Sequence, residues 1–270
     1  MLMQRILTAV ILIFLIIVGL LKLPALWFMD VTILVVLWGA YEWTQFIPLK
    51  TYAAKLGFML TLVLMIFAIL FFNVPSIYVL AIGILAWFDG IYLVIKQQKG
   101  QLPLRANNPY YRAWFGLVVL LPFWVALNVL RTSSYGPIWL LYGMSIVWMA
   151  DIGAYFVGRY CGKHKLASNI SPNKTWEGVL GGLLFALVAG IIWNWFLKVP
   201  MTLWWIILLM VVITAGISVL GDLLESLFKR LVNLKDSGAL LPGHGGLLDR
   251  IDALTIGLPV FALFTLLFLL

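Results

Sequence analysis

Nine apolar runs follow one another along this chain, over residues 6–21, 25–41, 56–72, 77–95, 113–130, 137–157, 178–197, 201–224 and 252–270. Each is close to the roughly 20 residues that an α-helix needs to cross a hydrocarbon layer about 30 Å thick. No water reaches the middle of such a layer, so a spanning segment must satisfy its backbone internally, as a helix does. The composition agrees: 64% of the 270 residues are hydrophobic and 10% are charged, against about 25% charged in a soluble domain. Many of the 13 Trp, 10 Tyr and 17 Phe lie near the ends of the runs, as in an interfacial belt. These features predict an all-α, polytopic integral membrane protein of about nine transmembrane helices, with little room for a soluble domain. The stretch Leu20-Leu21-Lys22-Leu23-Pro24 offers no small-x-small cleavage site, so the first run reads as a retained helix.

The basic residues orient this chain. Arg5, Lys50, Lys55, Lys96, Lys99, Arg105, Arg112, Arg159, Lys163, Lys165, Lys174, Lys229, Arg230, Lys235 and Arg250 fall on one side of a nine-span alternation. Only Lys22, Arg131 and Lys198 fall on the other. The positive-inside rule then predicts a cytoplasmic N-terminus and an external C-terminus. The polar segments 159–177 and 229–250 become cytoplasmic, facing the compartment that holds nucleotides. The net charge of +8 reads as topology and phosphate binding, with no nucleic acid implied. A single cysteine, Cys161, excludes an internal disulfide and a Cys-based zinc site. Seven of the ten acidic residues lie at or after Asp151. Residues 1–136 therefore read as a five-helix membrane scaffold, and 137–270 as a four-helix catalytic region with two polar loops.

The densest polar run spans Ser226 to Asp252, with the spacing S-x-x-K-R-x4-K-D-x-G-x3-P-G-H-G-G-x2-D-R-x-D. Charge beside a bilayer is costly and usually marks a site. Asp222, Glu225, Ser226 and Lys229 share one helix face, at offsets of three, four and seven. Asp249 and Asp252 are likewise three apart at the start of the last span. Between them lies Pro242-Gly243-His244-Gly245-Gly246, whose glycines, Gly245 and Gly246 included, permit close backbone approach and free N–H groups for an anion. Carboxylates from two helix ends flanking a loop of donors and cations suit Mg²⁺ with a polyphosphate. A plain cytoplasmic loop would explain Lys229 and Arg230 but not the carboxylates.

A second segment carries Lys163-His164-Lys165 and Ser171-Pro172-Asn173-Lys174-Thr175-Trp176-Glu177. Lys174 precedes a helix start, where anions are favoured, and reads as a phosphate ligand beside Asn173. Thr175 and Glu177 read equally as an N-cap and first-turn acid. His164 reads as a charge neighbour. Asp151, inside the sixth span, requires a polar cavity or a partner. Asp89, at similar depth, reads equally as a structural pair with a cation. Asp30 and Glu42 read as interfacial. There is no H-E-x-x-H, G-x-S-x-G or G-x-x-x-x-G-K-[ST] motif.

At 226–252 the sequence SLFKRLVNLKDSGALLPGHGGLLDRID closely resembles the signature of the phosphatidate cytidylyltransferases, or CDP-diacylglycerol synthases. The resemblance continues upstream through SVLGDLLES (218–226), SPNKTWEGVLGG (171–182) and WMADIGAYFVGRYCGKHKLA (148–167). It covers about the last half of the chain. It implies CMP transfer from CTP to phosphatidate at the inner membrane, with Mg²⁺, a monovalent companion such as K⁺, and often a homodimer. Carried over by position, Asp222 and Asp249 would be the metal carboxylates. Ser226, Lys229, Arg230, Lys235, Asp236, His244, Arg250 and Asp252 would complete the polar site.

The chemistry fits a membrane-bound substrate meeting a cytoplasmic nucleotide. A phosphate monoester with a second pKa near ~6 is already largely a dianion at neutral pH, so no strong base is needed. The difficulty is bringing anions together and stabilising a leaving pyrophosphate. His244 accordingly reads as a loop organiser or phosphate donor. A different lipid phosphotransferase would use similar groups, but the spacing D-G-x2-A-R-x8-G-x3-D-x3-D is absent. A transporter for an anionic solute would carry charge near the midplane and repeated broken helices; here the charge gathers at one face.

Overall fold

The computed structural model describes residues 2–49, 51–133, 136–240 and 245–269. In chain order the elements are α1 (Leu2–Lys22), α2 (Ala25–Trp43), α3 (Tyr52–Phe71), α4 (Ser76–Gln98), a 3₁₀ turn (Leu104–Asn107), α5 (Pro109–Thr132) and α6 (Gly136–Cys161). A two-stranded hairpin follows, β1 (Lys165–Ala167) and β2 (Ser171–Thr175). The chain ends in α7 (Trp176–Phe196), α8 (Met201–Leu231), α9 (Leu248–Ile251) and α10 (Leu254–Phe268). Among the described residues, the seven helices α2 to α8 are long and apolar enough to cross a membrane, while Val10–Lys22 and Leu254–Phe268 are shorter apolar helices. The fold is the expected all-α polytopic one. The hairpin is an addition within the predicted loop 159–177: its antiparallel strands pair Lys165 with Thr175 and Ala167 with Ser171.

The centre of the bundle is α5 and α10. Phe115, Leu120 and Phe123 are buried on α5, and α10 is buried without interruption from Leu254 to Ala262. Helices α1 and α3 are peripheral. On α3 only Phe58, Leu62 and Ile66 turn inward, one helical turn apart, while Leu60, Leu64 and Phe67 are exposed. In a chain this apolar, an exposed apolar helix face is a lipid-facing one. The tightest pairing is α6 with α7. A Cβ on Gly182 would stand 2.6 Å from the Ala150 carbonyl oxygen, and one on Gly153 2.6 Å from that of Gly181. Small residues let helix backbones approach where apolar burial gives no drive for association.

Loops predicted to share a side meet at one end of the bundle. Gln98, ending α4, donates through Nε2 to Ser168 Oγ at 3.2 Å beside the hairpin. Arg112, at the start of α5, donates to the Phe46 carbonyl after α2 at 2.8 Å. At the opposite end Arg131 donates to the Leu23 carbonyl at 2.7 Å. Helix α8, with 31 residues, is roughly 46 Å long at 1.5 Å per residue. It exceeds the hydrocarbon thickness and runs past the predicted span end at 224, carrying the polar residues 222–230 on its last turns, in keeping with their shared helix face.

Candidate active site

The inward face of the end of α8 presents Asp222, Glu225, Ser226 and Lys229, as their spacing requires. Ser226 Oγ donates to Asp222 Oδ1 at 3.2 Å. Lys229 Nζ lies 3.1 Å from Glu225 Oε2 and 2.7 Å from Asp249 Oδ1, and all three side chains are less than a tenth exposed. Asp249, on α9, also accepts from the backbone N–H groups of Ser237 (3.1 and 2.9 Å) and Gly246 (2.8 Å). Burial would raise the Asp249 pKa, but the Lys229 ammonium and these N–H groups outweigh it and hold the carboxyl below its ordinary range.

Asp252 joins the cluster where α8 passes the turn into α10. A Cβ on Gly221 would overlap the Asp252 carbonyl, so only glycine allows this approach. The Asp252 carboxyl accepts from the Ala253 N–H at 2.8 Å and lies near those of Glu225, Asp222 and Asp151. Glu225 Oε1 is buried with no donor.

Beside this cluster, a cavity of about 640 Å³ opens between α6, the hairpin, α7 and α8. Its wall includes Asp151, Asn173, Lys174 and Asp222, which sequence reasoning had singled out. Lys174 Nζ stands 2.7 Å from Asp222 Oδ2, so each predicted metal carboxylate is matched to its own lysine. The volume is in the range of small-molecule sites. The wall also holds Tyr155, which the sequence did not single out, and Arg159, Lys165 and Ser171, which it marked only as basic or polar-segment residues. Arg159 donates to the Tyr155 hydroxyl at 2.7 Å. Asp151, Tyr155 and Arg159 are successive i+4 positions, a signal that could have found them.

The other predicted residues divide. Gly246 supplies a donor to Asp249, and Gly245 takes a φ of +85°. Arg230 is exposed and donates to the Leu234 carbonyl at 3.0 Å. Lys235, Asp236 and Arg250 are exposed on the loop and α9. His244 lies outside the described residues. Thr175 is the N-cap of α7, accepting from Gly178 N at 3.1 Å. Glu177 accepts from the His164 ring at 2.5 Å and from the Lys163 and His164 N–H groups, which ties the hairpin to α7. Asp89 is a structural partner of Arg105 and Tyr111.

Glu42 departs from the interfacial expectation. It is 2% exposed and accepts hydrogen bonds from the polar loop that precedes α9. An acid at the end of an apolar run reads as interfacial because its partners lie far along the chain.

A family model described as "Cytidylyltransferase family" matches residues 3–268. The phosphatidate cytidylyltransferase of Haemophilus influenzae is 38% identical over 286 residues, spanning 98% of this chain and 98% of the relative. That of Pseudomonas aeruginosa is 36% identical over 264 residues, spanning 97% and 96%. That of Staphylococcus haemolyticus is 47% identical over 129 residues, about half of each chain.

Proposed function

This chain belongs to the cytidylyltransferase family, and we propose that it transfers CMP from CTP to phosphatidate, giving CDP-diacylglycerol and pyrophosphate. The observation that carries the reading is the juxtaposition of a carboxylate–lysine cluster with a cation-lined cavity at one end of the bundle. An oxygen of the phosphatidate phosphate attacks the α-phosphorus of CTP. The bond from that phosphorus to the bridging oxygen breaks, and pyrophosphate leaves with the electron pair. Because the attacking oxygen is already anionic, the protein's task is to hold two anions together and to receive the negative charge that develops on the leaving group. Lys174, Arg159 and Lys165 stand on the cavity wall where phosphate oxygens would lie.

The donor set fits a hard divalent cation. Asp222, Glu225, Asp249 and Asp252 offer the oxygen ligands that such an ion takes, although among the described residues no three acidic or histidine side chains already stand together as a metal-binding group. Asp222 and Asp249 would hold Mg²⁺, which when bound would neutralise phosphate charge. We place the site on the cytoplasmic side of the inner membrane, with nine spans, because the basic residues and the loops that meet at the site end share that side. A homodimer belongs to the same proposal.

Purified protein in mixed micelles should release pyrophosphate only when CTP and phosphatidate are both present. Release without phosphatidate, or none with both, would overturn the reading. Reporter fusions at Lys99, Lys163 and Lys235 should read cytoplasmic and one after Leu270 external; a cytoplasmic C-terminus would reject nine spans. Lys174→Ala removes a charge-assisted contact of about 1.5–3 kcal/mol. Turnover or substrate affinity should therefore fall roughly tenfold or more, in steady-state kinetics with each substrate varied. Unchanged kinetics would make Lys174 a partner of Asp222 alone.

A further inference from the structure

One carboxylate outside the catalytic half is built into the site without touching the cavity. Glu42, in the last turn of α2, is 2% exposed and, among the described residues, has no cation as a hydrogen-bond partner. Its Oε1 accepts from Trp38 Nε1 at 3.0 Å and from the Leu247 N–H at 2.9 Å. Its Oε2 accepts from Ser237 Oγ at 3.0 Å and from the Leu248 N–H at 2.8 Å. Three of these four donors belong to the polar loop or to α9, about 200 residues further along the chain.

The loop is shaped to admit this carboxylate. A Cβ on Gly238 would come within 2.6 Å of Glu42 Oε1, and one on Gly246 within 2.6 Å of Oε2. Neither position tolerates a side chain while Glu42 stays where it is. The contacts then pass directly to Asp249. Ser237 Oγ accepts from the Asp249 N–H at 3.3 Å while it donates to Glu42. The Ser237 N–H donates to both oxygens of Asp249, and Gly246, whose position Glu42 limits, donates a third bond. Lys229 and Glu225 complete the line into α8.

We infer that Glu42 is a positioning residue for the reaction: it fixes Ser237 and the segment 246–248 so that Ser237 and Gly246 aim the Asp249 carboxylate into the site. The inference rests on the proposed role of Asp249. The chemistry demands a carboxylate at 42. Among the described residues its hydrogen-bond partners are all donors, two to each oxygen, so an amide would set its own N–H₂ against two donors at once. Burial makes such a mismatch costly, since a buried donor left unpaired loses its full solvation. This also explains why a charged residue survives at the end of an otherwise apolar helix of the scaffold half.

The test compares Glu42→Gln, Ser237→Ala and Trp38→Phe in the full chain in detergent, at matched melting temperature. Removing a group that orients a metal-ligating carboxylate typically lowers affinity or activity about 10- to 100-fold. Glu42→Gln should weaken Mn²⁺ binding, read by electron paramagnetic resonance of the free ion, by about that factor. It should lower kcat similarly while KM for CTP changes little. Amide hydrogen exchange across residues 237–249 should speed up. Ser237→Ala should move the same three readouts in the same direction by less. Combined with Glu42→Gln it should add little, because both act through Asp249. It also carries the test alone if Glu42→Gln does not fold. Trp38→Phe, which removes a donor outside the loop, should leave kcat and Mn²⁺ binding near wild type. Unchanged Mn²⁺ affinity and kcat in folded Glu42→Gln, or in Ser237→Ala if that variant alone folds, would overturn the inference. A wild-type protein without CTP- and phosphatidate-dependent turnover would instead overturn the functional reading. The exchange measurement would still show whether Glu42 holds the loop.

Discussion

Asp222→Asn and Asp249→Asn should each reduce Mg²⁺-dependent pyrophosphate release by more than about 100-fold, because loss of groups that merely orient a ligand already lowers activity about 10- to 100-fold. Both substitutions keep size and remove charge, but they act in different settings. The Asp222 side chain is 32% exposed and its partner Lys174 23%, so solvent screens the pair and the change in stability is small. Asp249 is 6% exposed and surrounded by donors from Lys229, Ser237 and Gly246. An amide there must turn its N–H₂ toward one of them, so this variant loses stability as well as turnover. Rates are therefore compared at matched thermal stability. The two losses should combine to less than their product, because residues that hold one group act as a unit. Near-wild-type release by either variant would sink the metal assignment and leave the transferase reading standing.

The chemical half of this fold was legible where its residues obey a local period. Asp222, Glu225, Ser226 and Lys229 fall on one helix face by spacing alone, and the structure places all four inward. Arg230, one residue on, is turned about 100° away by the same geometry and donates to the Leu234 carbonyl beyond the helix end while Lys229 joins the carboxylates. The i+4 row Asp151–Tyr155–Arg159 obeys the same rule but was read only at its first member. What could not be read locally are the contacts that fold distant segments together. Lys174, on β2, meets Asp222 only once the strand before α7 reaches α8. Glu42 finds Ser237 and Leu248 only once α2 lies beneath the loop. The hairpin itself escaped detection because strands of three and five residues leave no alternating pattern to see. The division of the chain at residue 136 also needs qualifying in physical terms: the scaffold half contributes Glu42 to the loop that aims Asp249.

Lys229→Met should be the most destabilising single substitution in the cluster. The lysine is 9% exposed and lies between Glu225, 4% exposed, and Asp249, 6% exposed. Methionine matches the stem but removes the charge that compensates both acids. Breaking a buried pair by deleting one partner typically costs about 3–5 kcal/mol, because an uncompensated charge stays buried. Here two carboxylates are left without their lysine, so the upper part of that range applies. The melting temperature in detergent should fall by several degrees and turnover should be lost. The sign of a second substitution tests the cause. If the loss is electrostatic, Glu225→Gln in the Lys229→Met background removes one orphaned charge and should recover part of the melting temperature, although alone it is destabilising. If the lysine mattered only through the packing of its stem, methionine would already replace it, and neither the fall nor the recovery would be seen.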